Sequence, residues 1–294
     1  MSDALTRFVF EGAAVRGALV SLDAASREIL ACHRYPPPLA RVLAELLAAT
    51  ALLASSLKFE GSLTVQMSGD GPVSLLVVEC DHALSLRATA QWNAQRVAAL
   101  AADASLAALA GGSEHARLVI TLAPNAGPMY QGIVSLDSGS VAAMIEHYLA
   151  TSEQLASRLV LASRDGAAVG VLVQRLPGSG ADDDATWSRA SSRIDLLTAE
   201  DLLRDAPPHA MLTALFPEDD LRAFRTAEPR FACRCSRERV AGALRIAGAA
   251  EIEAALAERG DVEVVCEFCN RRYVFAPDEA RALFAPSPAT AARH

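Results

Sequence analysis

Four of the six cysteines in this 294-residue chain crowd into one stretch near its C-terminus. The pattern is Cys233-Arg234-Cys235, then thirty residues, then Cys266-Glu267-Phe268-Cys269. A zinc ion takes four such ligands tetrahedrally, and a C-x-x-C half places two sulfurs on one side of a tight turn. None of the six histidines lies near this cluster. The pattern therefore predicts one Zn²⁺ held by four thiolates.

Two other interpretations of these cysteines stay open. They could be four buried structural thiols, or the C-x-x-C pair could be a thioredoxin-like redox motif, although no βαβ pattern surrounds it. The other two cysteines, Cys32 and Cys80, are isolated. Cys32 and His33 are residue types that can form a nucleophile–base pair, but the side chains of adjacent residues usually point apart.

Composition limits the classes of function. Hydrophobic residues make up 52% of the chain and charged residues 21%, which is enough to build a sizeable core. The net charge of −8 argues against nucleic acid or an anionic membrane as a partner, because both require clustered Lys and Arg.

The expected compartment follows from two segments. The N-terminus has no basic region followed by an apolar core, and the apolar stretch 42–57, interrupted by Glu45, is shorter than the about 20 residues that span a bilayer. We expect a cytoplasmic protein, in which the cysteines are not a disulfide framework.

Residues 1–177 alternate strand-like and helix-like segments. Helices are predicted over 39–57 and 141–163, and a turn at 69–72. Strands rich in Val, Leu and Ile are predicted at 62–67, 73–79, 84–90, 118–122, 132–136 and 169–176. Short turns between neighbouring strands favour antiparallel pairing, so the fold class is α+β, with an N-terminal domain that is mainly antiparallel sheet plus helices.

The rest of the chain divides at a Pro-Gly-Ser-Gly break over 177–180. We predict a helical linker over 178–230, in which Thr198 and Asp201 form a capping box. A small α+β zinc domain is predicted over 231–284, with helices over 236–245 and 251–258 and strands over 262–265 and 273–275. The end, 285–294, is expected to be a frayed tail.

Arginines flank the cysteines. Four thiolates around a dication leave two negative charges, and five side chains could offset them: Arg234, Arg237, Arg239, Arg271 and Arg272. Ordinary solvated arginine explains them equally well. Residues 231–284 carry eight Arg against nine acidic residues, which weakens a nucleic-acid-binding zinc ribbon.

The residues around the cysteines, read from Phe231 to Val240 and from Cys266 to Asn270, closely resemble the thirty-three-kilodalton heat-shock chaperone family of bacteria. Further similar motifs follow in the family's order: His33-Arg34-Tyr35-Pro36, Lys58-Phe59-Glu60-Gly61, Gly69-Asp70-Gly71-Pro72, Tyr130-Gln131-Gly132-Ile133-Val134, Ser152-Glu153-Gln154 and Gln174-Arg175-Leu176-Pro177. Each motif alone is weak, but together they cover nearly the whole chain. One departure is Arg87-Ala88-Thr89-Ala90, where the family usually has Arg-Gly-Tyr.

The resemblance implies a redox-regulated holdase. It implies an N-terminal α+β domain, a metastable linker and a C-terminal zinc switch. It also implies ATP-independent binding of unfolding proteins after oxidation and zinc release, transfer of clients to ATP-dependent foldases, and a homodimer as an oxidised form. The chemistry of the cysteines is consistent with such a switch. Oxidation of the thiolates destroys the metal site, and a domain this small depends on that site for its stability.

Two other functions remain as alternatives: a dithiol–disulfide oxidoreductase and a zinc-ribbon module for nucleic acid. The chain contains no P-loop, G-x-G-x-x-G, G-x-S-x-G or H-E-x-x-H motif, so we do not expect an enzyme.

Disulfide pairing can be predicted from spacing. Loop-closure entropy grows with loop length, so neighbouring thiols pair most readily once the metal leaves. We predict Cys266–Cys269 and Cys233–Cys235. The first should form more readily, because a C-x-C disulfide closes a tighter and more strained ring.

Overall fold

The computed structural model describes residues 2–56, 60–112, 114, 116–136, 139–177 and 181–285. It divides into two compact units, Met1–Ala232 and Cys233–His294. The motif residues Lys58 and Phe59, the glycines of the predicted break at 178–180 and the tail after Ala285 lie outside the described residues.

The first unit carries eleven described strands and eight helices. In chain order they are β1 (Ala4–Phe10), β2 (Val15–Leu22), α1 (Ala24–Ala31), α2 (Pro37–Ala54), β3 (Gly61–Ser68), β4 (Val73–Asp81), β5 (Ser85–Trp92), α3 (Ala94–Ala98), α4 (Leu106–Ala110), β6 (Arg117–Pro124), β7 (Tyr130–Val134), α5 (Val141–Thr151), β8 (Ser157–Arg164), β9 (Ala167–Arg175), α6 (Ala181–Asp195), α7 (Ala199–Leu202), α8 (Pro208–Leu215), β10 (Leu221–Ala223) and β11 (Arg230–Phe231).

These strands form two sheets around one buried helix. The first sheet has the order β10-β1-β2-β9-β8 and the second β11-β5-β4-β3-β6-β7. All pairs are antiparallel except β11 with β5. Helix α2 contributes side chains such as Leu43 and Leu47 to a core shared with strands of both sheets. The predicted α+β class is confirmed.

Helix α2 is long and apolar enough to cross a membrane by length and composition alone, but 78% of it is buried inside the first unit. Pro37 and Pro38 occupy its first positions, where a proline loses no intrahelical hydrogen bond. Its burial between two sheets explains its apolar composition.

One predicted helix is wrong in its second half. The helix that begins at Val141 ends at Thr151, and the chain then turns through Gln154, which has a φ of 55°. Residues 157–164 form β8, paired along its length with β9. An apolar segment of this length fits either a helix or a strand, and the antiparallel partner strand decides between them. The predictions also missed β1, β2, β10 and β11.

Residues 221–223 form the edge strand β10 of the first sheet. The preceding segment, 181–216, packs onto the outer face of that sheet. Its buried apolar side chains form a second core with Phe8 and Phe10 of β1; they are Ala190, Ile194, Leu202, Leu203, Met211, Leu212, Leu215 and Phe216. The predicted capping box is present, since Thr198 accepts a hydrogen bond from the Asp201 N–H and Asp201 accepts one from the Thr198 N–H.

The segment that departs from the family pattern lies on β5. Arg87 forms an ion pair with Glu79 of the neighbouring strand at 2.6 Å, and Ala88 and Ala90 are buried. The small side chains therefore fill core positions of the second sheet.

The second unit is small. It contains α9 (Arg237–Ala247), α10 (Ala249–Arg259), β12 (Val262–Val265), β13 (Arg272–Phe275) and α11 (Pro277–Ala282). Ser236 caps α9 by accepting a hydrogen bond from the Arg239 N–H, and Gly260 ends α10 in the left-handed region. In the described part of this unit, the core holds nine buried residues, among them Val240, Phe275 and Tyr273.

Candidate metal centre

The second cysteine pair sits in the hairpin between β12 and β13. The Cys266 N–H donates to the Arg271 carbonyl at 2.9 Å, and the Asn270 N–H donates to the Cys266 carbonyl at 2.8 Å. Asn270 has a φ of 58°, a left-handed conformation that asparagine tolerates better than most residues. This tight turn folds Cys269 back beside Cys266.

The first pair lies in irregular backbone between β11 and α9, immediately before the helix cap Ser236. Cys235 packs against the core of the second unit, and so does Cys266. The fold thus brings together two pairs that are thirty residues apart in sequence.

The four sulfurs form one compact group. All lie within 4.8 Å of one another, and each cysteine is half-buried. Cys233 Sγ lies 3.6 Å from Cys266 Sγ, and Cys235 Sγ lies 3.3 Å from Cys269 Sγ. Tetrahedral zinc with Zn–S bonds of 2.3 Å would separate its sulfurs by about 3.8 Å. The donor set and its spacing fit a zinc ion held by four thiolates.

Tyr273 of β13 touches this group. Its hydroxyl donates to Cys235 Sγ at 3.1 Å. Burial alone would raise the pKa of the Cys235 thiol, but hydrogen bonds with Tyr273 and with the neighbouring cysteines lower it to about 7. Burial raises the pKa of Cys233 and of Cys269, and around Cys269 the neighbouring cysteines add to that rise. Cys235 is the sulfur that these contacts favour as a thiolate, the form that binds metal.

Comparison with known proteins identifies the family. The family model described as Hsp33 protein matches residues 3–276. A protein named 33 kDa chaperonin from Chromobacterium violaceum is 44% identical over 293 residues, covering 99% of this chain and 97% of its own. This chain belongs to the Hsp33 family.

Other Hsp33 relatives agree. The 33 kDa chaperonin of Shewanella sediminis is 39% identical and that of Shewanella oneidensis 40%; each match covers 98% of this chain, and 97% and 98% of the relative. A solved structure of the 33 kDa chaperonin (heat shock protein 33 homologue) from Thermotoga maritima matches with a TM-score of 0.81 at 23% identity, covering 96% of this chain and 98% of that one. At that identity the match shows the shared fold. The predicted family is confirmed.

The five flanking arginines differ in their surroundings. Arg237 donates to the Val274 carbonyl and to Glu279, both at 3.0 Å, and lies over the Phe275 ring. Arg272 forms an ion pair with Glu263. These two side chains are thus engaged with other groups.

The pKa of Arg271 is raised by a hydrogen bond with Tyr273 and by the charges of Tyr273, Cys235 and Cys269. Arg239 is exposed, and its backbone N–H donates to the cap Ser236. Charge compensation by these residues, Arg234 included, stays a prediction.

The two isolated cysteines lie in the first unit. Cys32 ends α1, where its thiol donates to the Glu28 carbonyl at 3.3 Å. Cys80 is fully buried on β4. Beside Cys32, the ring of His33 packs against Tyr35, with centroids 5.4 Å apart. Neither thiol belongs to the metal-ligand cluster found among the described residues.

Sequence reasoning placed Tyr273 on a strand but assigned it no part in the site. The signal was its spacing: Tyr273 and Phe275 alternate with exposed residues along β13, so both face the core. The hydroxyl of a buried tyrosine usually makes a hydrogen bond, and the Tyr273 hydroxyl makes it with Cys235 Sγ.

Proposed function

We propose that this member of the Hsp33 family is a redox-regulated, ATP-independent holdase, held inactive by one zinc ion on Cys233, Cys235, Cys266 and Cys269. The observation that carries the proposal is the convergence of these four sulfurs within 4.8 Å on a small unit. The family supplies the chaperone activity, and the site supplies the means of regulating it.

The second unit is suited to metal-dependent folding. Among the described residues its core holds nine buried side chains, and cores of that size rarely stabilise a domain of roughly 55 residues without a staple. Structural zinc supplies about 10–16 kcal/mol of apparent binding energy in small zinc modules. Loss of the thiolates therefore removes the main support of this unit.

Peroxide is the oxidant class that we propose. Each thiolate pair reacts in two steps: one sulfur attacks a peroxide oxygen, the O–O bond breaks and hydroxide leaves. The second sulfur then attacks the resulting sulfenic sulfur, a disulfide forms and a second hydroxide leaves. Two peroxides thus accept four electrons from four thiolates, and a disulfide sulfur no longer holds the metal ion.

The proposed client surface is the apolar side of the segment 181–216. In the described structure these side chains are covered: Leu202 is fully buried, and Ile194 and Phe216 are almost so. A holdase needs exposed apolar surface, and release of this segment would provide it. We therefore propose 178–230 as the metastable linker of the switch.

Chain continuity supports a connection between the site and the linker. One residue, Ala232, separates Cys233 from β11, whose Arg230 and Phe231 pair with Ser85 and Leu86 of β5. Unfolding that starts at Cys233 would first break the hydrogen bond from the Ala232 N–H to the Leu86 carbonyl and then this short pairing, which resists little.

An aggregation-protection assay tests the proposal. We expect zinc-loaded reduced protein to leave a thermally unfolding client unprotected, and peroxide-treated protein to suppress its light scattering without ATP. Reductant with zinc should restore the inactive form. Equal protection by both forms would remove the switch.

The remaining partners are proposed on the resemblance. Unfolding proteins are the clients, ATP-dependent foldases receive them, the oxidised form assembles as a homodimer, and the setting is the cytoplasm. Turnover of a small dithiol substrate in the same preparation would instead indicate an oxidoreductase.

A further inference from the structure

Tyr273 contacts one sulfur of the cluster through its hydroxyl. Its ring is 8% exposed, and the pairing of Tyr273 with Val264 sets its place on the hairpin. From that position the hydroxyl donates to Cys235 Sγ at 3.1 Å. Because the ring is buried in the core of the second unit, the hydroxyl cannot turn to solvent without disturbing that core.

This contact distinguishes Cys235 from its neighbours. The hydrogen bonds that act on the thiols of Cys233 and Cys269 come from backbone groups and from other cysteines. Cys235 receives a phenol hydrogen bond in addition. The four ligands are all cysteines, but their hydrogen-bond partners therefore differ.

Arg271 lies near enough to Tyr273 and the sulfurs for their charges to raise the pKa of its guanidinium. The contact that carries the inference is the 3.1 Å hydrogen bond from the Tyr273 hydroxyl to Cys235 Sγ.

We propose that Tyr273 is a positioning residue of the redox switch, whose hydroxyl holds Cys235 Sγ and makes it a poorer nucleophile toward peroxide. The inference rests on the proposed function and names a residue that tunes one of its sulfurs. When four sulfurs hold a metal ion all are thiolates, so their rates with peroxide differ only by intrinsic nucleophilicity and access.

The size of the effect follows from thiolate chemistry. Nucleophilicity rises with basicity with a Brønsted coefficient of about 0.4–0.5, so a tenfold change in basicity changes the rate about threefold. Removing the phenol hydrogen bond makes the sulfur more basic by on the order of tenfold, the usual net worth of one hydrogen bond. We therefore expect Cys235 to react about threefold faster with peroxide once the hydroxyl is gone.

The test is Tyr273→Phe in the full chain, which keeps the ring and removes the hydroxyl. Zinc-loaded protein is treated with hydrogen peroxide, and each cysteine is followed by differential alkylation and mass spectrometry. Cys235 should be oxidised about threefold faster than in the wild type, with Cys266 and Cys269 unchanged. Co²⁺-substituted protein should show its thiolate-to-metal charge-transfer band shifted to lower energy.

The matched control is Tyr148→Phe, which removes a hydroxyl that donates to Glu153 at 2.9 Å in the first unit. It should change neither the rates nor the Co²⁺ spectrum. Biosynthetic 3-fluorotyrosine, a stronger donor, should slow Cys235 and shift the band the opposite way. This second measurement keeps the inference testable if Tyr273→Phe fails to bind metal.

The outcomes separate the two proposals. A Tyr273→Phe protein with wild-type rates at Cys235 and a wild-type Co²⁺ spectrum overturns the role of Tyr273, and so does an absence of change with 3-fluorotyrosine. A wild-type protein that keeps its zinc under peroxide overturns the proposed function itself.

Discussion

The rings of Phe10 and Phe216 meet edge to face, with 5.2 Å between centroids and 79° between planes. Phe10 ends β1, and Phe216 caps α8 in the segment that we propose as the linker. Phe8 lies 5.7 Å from the same ring. Aromatic pairs of this kind contribute about 0.5–1.5 kcal/mol each beyond the area they bury. These ring contacts add to the burial of the apolar side chains that hold the segment against the first sheet.

Charging a buried position of that segment should activate the protein without oxidation. Leu202 is fully buried, so Leu202→Glu places an unpaired carboxylate in the second core at a cost of several kcal/mol. We expect the reduced zinc-bound variant to protect an unfolding client partly. Leu196→Glu is the matched control, because Leu196 is 75% exposed and its substitution should have little effect. Equal inactivity of both reduced variants would contradict the proposed client surface.

Release of the segment should be visible in the fluorescence of Trp187, which packs against the second core. The chain has one other tryptophan, Trp92. In a Trp92→Phe background, we expect the emission to shift to longer wavelength on oxidation, because the indole becomes hydrated. Trp187→Phe serves as the control that reports Trp92 alone. An unchanged Trp187 spectrum in active, oxidised protein would place the client surface elsewhere.

Metal binding should depend on four cysteines and not on the other two. Reduced protein purified without chelators should contain one zinc per chain by elemental analysis. Replacing any of Cys233, Cys235, Cys266 or Cys269 by Ser should lower the affinity by more than the about 10–100-fold typical of residues outside the coordination sphere. Cys32→Ser and Cys80→Ser are the controls and should leave the stoichiometry at one. Zinc-free wild-type protein would refute the site.

Peptide mapping of the oxidised protein should find Cys266–Cys269 and Cys233–Cys235. In the reduced cluster all four sulfurs are within 4.8 Å, so their distances there do not select the pairs. The selection comes after the metal leaves, when loop-closure entropy favours neighbours in sequence. Disulfides that mainly join Cys235 to Cys266 would show that pairing occurs before the unit unfolds.

Glu45 of α2 should make the first unit less stable as the pH rises. Burial raises the pKa of this carboxyl, against the opposing effect of its ion pair with Arg41 at 2.7 Å. The folded state therefore binds the proton more tightly than the unfolded chain. The resulting stabilisation is complete below the usual glutamate pKa and is lost as the pH rises through the raised value.

The side chain introduced by Glu45→Gln is neutral at every pH. We expect its free energy of unfolding, relative to the wild type, to increase between about pH 4 and pH 7. Urea titrations followed by tryptophan fluorescence measure this directly, because both tryptophans lie in the first unit. A relative stability that falls over the same range would reverse the sign assigned to Glu45.

Local signals predicted much of the fold. The helices predicted over 236–245 and 251–258 are present as α9 and α10, and the predicted Thr198–Asp201 capping box is present. Such features depend on hydrogen bonds between residues a few positions apart. The strand β8 was taken for helix because its partner, β9, supplies the hydrogen bonds that make it a strand, and periodicity alone does not show a partner.

The sequence by itself determined the candidate ligand set and the family resemblance, because cysteine type and the spacing of the two pairs carry that information within a few residues. The tertiary structure decided which neighbours the sulfurs have. The Tyr273 hydroxyl contacts Cys235, which is 38 residues away in sequence. The ring of Phe216 contacts that of Phe10, which lies near the other end of the first unit's sequence. These contacts depend on strand register and helix packing. Both are determined by which side chains are buried between elements distant in sequence, and the spacing of neighbouring residues does not show this.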